Sequence, residues 1–76
     1  KNSEIVARFN FAVETQNKEV SLFLFDLLKE SANAAVASQT TENISEVSDI
    51  VYDAQVARVA LRVHGASEDM FSDCNF

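Results

Sequence analysis

The chain has no proline and no tryptophan, and only one glycine, one cysteine and one histidine in 76 residues. Each shortage removes a class of explanation. With Cys74 as the sole cysteine, no intrachain disulfide can staple the fold. With His64 as the sole histidine, a structural zinc site of the usual Cys/His kind is excluded. Gly65 alone cannot build a glycine-rich phosphate loop. The lack of proline leaves long stretches without a breaker, which favours long uninterrupted elements. Long apolar runs are missing too. The densest, residues 20–28, is interrupted by Ser21 and Asp26 and is far too short to span a bilayer. Positive charge is scarce, with 6 Lys and Arg against 12 Asp and Glu, a net charge of −6. That balance repels phosphate backbones and anionic headgroups, so nucleic acid is not an expected partner.

What remains is apolar. Hydrophobic residues make up 47% of the chain and include six phenylalanines, a content that disordered chains lack. A chain of this length forms one domain and buries only about 60% of its unfolded surface, so it usually needs outside support. Once disulfide and zinc are removed, a partner chain is the remaining source of that support. The first residue is Lys1 rather than methionine, so a processed or excised chain is expected, with any secretory signal already removed. A lone cysteine favours a reducing, cytoplasmic setting.

The clearest element is a helix over residues 43–64. Asn43 and Glu46 have the spacing of a capping box. Acidic residues crowd its first half, Arg58, Arg62 and His64 fill its last turns, and Gly65 stands where a left-handed stop residue belongs. Asn43-Ile44-Ser45 also matches a glycosylation acceptor, but the cap is the simpler role for Asn43. At 100° per residue this helix carries two apolar stripes. Ile44, Val47, Ile50, Val51, Ala54, Ala57 and Leu61 form one; Tyr52, Val56, Val59 and Val63 form the other. One stripe suffices for a surface helix, so two imply more than one neighbour.

Residues 18–38 read as a helix that is apolar on most sides, with Asp26, Lys29 and Glu30 as a thin polar strip. Residues 3–14 fit either a helix or an alternating strand. The pairs Glu4/Arg8 and Glu14/Lys18, both i,i+4 in the favourable orientation, tip the reading to helix. The expected fold is therefore all-α: two long antiparallel helices, the first with a weak point near residues 15–18, joined by the short connector 39–42. Residues 1–65 form the domain. Residues 66–76 lack periodicity and make a loose tail unless Met70, Phe71 and Phe76 dock. Counting back from the connector places Arg58 and Arg62 near Glu19 and Asp26. Phe23, Leu24, Leu27, Val51, Ala54 and Leu61 are expected in the intrachain core.

Two helices cannot cover apolar faces that point in several directions. An oligomeric helical bundle follows, with Tyr52, Val56, Val59, Val63 and Phe25 as the intersubunit surface. The expected function is a non-enzymatic interaction or self-assembly module, as a homo-oligomer or a subunit of a larger complex. The alternative is a small acidic inhibitor, immunity protein or antitoxin whose stripe Glu42, Glu46, Asp49 and Asp53 masks a basic site on a partner. The same stripe could hold a hard cation, but metal ligands usually gather from a looped segment rather than one helix side, and no metal is expected. No cofactor or small-molecule substrate is expected either, and no catalytic site. His64 and Cys74 lack an orienting third group, and Glu68, Asp69 and Asp73 surround the thiol with charge that disfavours the thiolate.

Overall fold

In the computed structural model, residues 2–76 are described, and they contain helices and no strand. The order is α1 (Asn2–Glu14), α2 (Lys18–Ala37), α3 (Ile44–Val63) and a 3-10 turn over Glu68–Phe71. α2 packs on both other helices, and α1 also touches α3, so the described residues form a three-helix bundle. Asn2 Nδ2 donates to Ser31 Oγ at 3.2 Å, which shows α1 running back along α2.

The weak point near residues 15–18 is a complete stop, so two helices stand where one long one was expected. Gln16 takes a left-handed φ of 59°. Its N–H donates to the Val13 carbonyl at 3.1 Å, and the Asn17 N–H donates to the Ala12 carbonyl at 2.8 Å. These are the two bonds of a Schellman stop. The Thr15 hydroxyl donates to the Phe11 carbonyl at 2.8 Å and occupies another end group. Asn17 then restarts the helix by accepting the Val20 N–H on Oδ1 at 3.3 Å. The stop also separates Glu14 from Lys18, so of the two expected i,i+4 pairs only Glu4–Arg8 forms, at 3.6 Å.

α3 ends as its sequence predicts. Gly65 has φ 96°, its N–H donates to the Arg62 carbonyl at 3.1 Å, and the Ala66 N–H donates to the Leu61 carbonyl at 3.0 Å. Its start differs from expectation. Asn43 holds the N-cap position but makes no side-chain cap bond. Its amide turns back into the connector instead, accepting the Thr40 N–H at 2.6 Å and donating to the Ser38 carbonyl at 3.1 Å. The connector's own polar groups compete for Asn43 more effectively than the helix end does.

The core joins Phe9 and Ala12 of α1, Leu24, Phe25, Leu28 and Ala32 of α2, Ala54, Ala57 and Leu61 of α3, and Phe71 of the tail. Leu27 and Val51 are half-buried at its edge. Two expectations on α2 are reversed. Phe25, assigned above to an intersubunit surface, is 3% exposed, whereas Phe23, assigned to the core, is 64% exposed. With α1 as a separate third neighbour, the buried row of α2 runs through Ser21, Leu24, Phe25, Leu28, Ala32 and Ala35. That row keeps 3- and 4-residue steps and leaves Phe23 off it. Ser21, the one buried polar residue among those described, donates its hydroxyl to the Lys18 carbonyl at 2.8 Å.

The tail is not loose. Phe71 is 3% exposed and meets Phe25 edge-on, with ring centroids 5.6 Å apart and planes at 84°. Met70, Cys74 and Phe76 pack against the same core. A 76-residue chain gains core volume by folding its last aromatic residues into the remaining groove.

Candidate interaction surfaces

Four side chains of α3 face away from the core. Counted at 100° per residue, Tyr52, Val56, Val59 and Val63 lie roughly opposite the buried row Val47, Ala54, Ala57 and Leu61. All four are exposed, Tyr52 at 68% and Val63 at 77%. Scattered surface valines are ordinary. Four apolar side chains in register over three turns of one helix form a continuous strip, which is not.

A second apolar patch lies outside the α1–α2 seam. Phe11, Val20 and Phe23 are exposed there, with the buried Ala12 and Leu24 between them. No residue of α3 lines this groove, so the two patches are on different sides of the molecule.

Glu42, Glu46 and Asp49 are exposed and Asp53 is half-buried, along the flank of the α3 strip. Among the described residues none of the four joins an ion pair. The expected partners of the arginines are also different. Asp26 pairs with Lys29 at 3.0 Å, Arg62 pairs with Glu68 at 2.7 Å, and Arg58 lies over the Phe71 ring, 5.2 Å from its centroid. The docked tail brings its own carboxylates and aromatic ring to these cations before Glu19 can reach them.

Sequence reasoning missed the way the tail is held. Asn33 Nδ2 donates to the Asp73 carbonyl at 3.0 Å, and Asn33 Oδ1 accepts the Asn75 N–H at 2.8 Å. Lys29 Nζ donates to Asp73 Oδ2 at 2.8 Å. The Asp73 carboxylate, and after it that of Asp26, raises the Lys29 ammonium above its ordinary value. Lys29 in turn lowers the Asp73 carboxyl. The only signal available in the sequence was Met70-Phe71 set within an acidic segment.

A cleft of about 250 Å³ opens where the α1–α2 turn meets the end of α3, lined in part by Asn17, Lys18, Leu61, His64 and Met70. It lies at or below the small end of ordinary ligand pockets. Cys74 is elsewhere, half-buried against the core, and burial pushes its thiol up. Among the described residues no three His, Cys, Asp or Glu side chains gather where an ion could be held. Among the described residues no helix is long and apolar enough to cross a membrane. No family model, curated protein or solved structure matches the chain.

Proposed function

We propose that the chain is a non-enzymatic helical interaction module that self-associates through the outer face of α3, alone or within a larger complex. The observation that carries this reading is the exposed strip Tyr52, Val56, Val59 and Val63 on the side of α3 opposite the core. Burying such a strip against its symmetry mate removes apolar surface from both copies at once.

Electrostatics favours an antiparallel pair. The carboxylates Glu46, Asp49 and Asp53 lie on one flank of α3, two of them just before the strip and Asp53 beside its start, whereas Ala60 and His64 occupy the same flank toward its end. Parallel pairing would set the carboxylates of the two copies side by side; antiparallel pairing sets them beside the partner's less acidic end.

The strip spans 11 residue steps, roughly 16 Å of helix. That is short beside the roughly 800 Å² per partner of a standard stable interface, so a reversible association is expected. Size-exclusion chromatography with light scattering tests it. The mass should rise from the 8.4 kDa monomer toward twice that value with concentration, and Val59→Lys should hold it at the monomer. A wild-type chain that stays at 8.4 kDa throughout counts against the reading.

The unpaired acidic flank supports a second reading, an inhibitor or antitoxin that masks a basic site. In that case charge reversal at Asp49 and Asp53 should slow capture of the basic partner most at low salt. An unchanged association rate removes this alternative.

A further inference from the structure

A different surface, which does not depend on the α3 strip, lies in the groove between α2 and α3 where the tail is seated. The tail is held as a bound peptide is held. Asn33 reads its backbone from two sides, donating to the Asp73 carbonyl and accepting the Asn75 N–H. Such a clamp asks nothing of the side chains at residues 73–75. Selectivity comes from the flanks. The Phe71 ring sits against the Phe25 edge, with the guanidinium carbons of Arg58 and Arg62 at 5.2 Å and 5.6 Å from its centroid. Arg62 grips Glu68 with both Nε, at 2.7 Å, and a terminal nitrogen, at 3.4 Å, and Lys29 takes Asp73.

Lys29, Arg58 and Arg62 are three of only six lysines and arginines in a chain of net charge −6. An acidic molecule has thus collected half its cations along one aromatic-floored groove. That combination suits an acidic segment with a phenylalanine anchor.

The tail leaves one requirement of the groove unmet. Arg58 Nε is buried and has no hydrogen-bond partner. A segment that also brought an oxygen to this N–H would gain a hydrogen bond that the tail does not make. A second copy's tail cannot do so, because it makes the same contacts and lacks the local concentration that the short link, residues 64–67, gives the tail in cis. We propose that the α2–α3 groove is a receptor for an extended, acidic, phenylalanine-bearing segment of a partner protein, and that the tail is its resident intramolecular competitor.

A fluorescein-labelled peptide of residues 67–76, titrated with the full chain and followed by anisotropy, tests this. The wild-type chain should bind it weakly, since the tail competes. Phe71→Ala in the full chain should tighten binding by at least about tenfold by removing that competition. Adding Asn33→Ala should cancel the gain, and a peptide with alanine at position 71 should not bind. If Phe71→Ala unfolds the chain, the peptide should restore its helical circular dichroism, because it binds only the folded state. A folded Phe71→Ala chain that ignores the peptide, or an unfolded one that the peptide fails to refold, overturns the proposal. Wild-type dimers that vanish in a folded Phe71→Ala chain would put a second copy's tail in the groove, and the partner reading falls.

Discussion

Replacing Gln16 by glycine should stabilise the protein, although glycine is the second-worst helix former after proline. Gln16 sits at φ 59° as the left-handed residue of the α1 stop. An L-residue pays about 1–2 kcal/mol for that conformation. Glycine avoids that cost but loses about 0.4–1 kcal/mol through the greater freedom of its unfolded chain. The difference is a gain of about 0–1.6 kcal/mol, with a middle value of about 0.8 kcal/mol. For a domain of this size each kcal/mol moves Tm by about 4–8 °C, so the middle value corresponds to a rise of about 3–6 °C. Thermal unfolding followed by circular dichroism at 222 nm measures it. The sign is the informative part. If residues 14–18 were instead continuous helix, the same substitution would destabilise by about 1 kcal/mol. A fall in Tm would therefore refute the three-helix account. Gly65→Ala is the mirror experiment. Its φ is 96° and nothing lies within 4 Å of an added Cβ, so the loss it should cause comes from backbone strain alone.

Other outcomes follow from the docked tail. Phe71→Ala should cost about 3–5 kcal/mol, a large share of the roughly 4–11 kcal/mol expected for a chain of this length. Calorimetry should show Tm falling by well over about 10 °C; a change of a degree or two would mean that the tail is loosely attached. The Lys29–Asp73 pair makes tail docking pH-dependent. Because Lys29 lowers the folded pKa of Asp73, the stabilisation is fully present above the ordinary aspartate value of about 3.9 and is lost as pH falls below it toward the folded value. The protection of the Asn75 amide proton, which Asn33 accepts, measured against the intrinsic exchange rate at each pH, should fall in that acid range, and Asp73→Asn should remove this pH dependence.

The sequence carried α3 well because its signals agree: charge order along the axis and a glycine at the stop. It marked residues 15–18 as a weak point but not as a full stop, because Gln16 carries the left-handed conformation without glycine's signature. The capping box at Asn43 failed for a related reason. Spacing alone does not reveal that Thr40 and Ser38 offer the same side chain better-placed partners. Phe23 and Phe25 changed places because the core face of α2 depends on where a third helix lies, and periodicity within α2 contains no such information. The tail clamp depends on contacts between residues some 40 positions apart in the chain, such as Asn33 and Asn75. The Tyr52, Val56, Val59 and Val63 strip was legible because its spacing is local and its opposition to the core row follows from helix geometry alone.

The outer face of α3 is best tested by following backbone amide chemical shifts as the chain is concentrated from about 10 μM to about 1 mM, the range in which a small interface associates. Amides of Tyr52, Val56, Val59 and Val63 should move together along one saturating curve, and Val59→Lys should flatten it. Constant shifts across α3, or changes confined to Phe11, Val20 and Phe23, would contradict association through this helix.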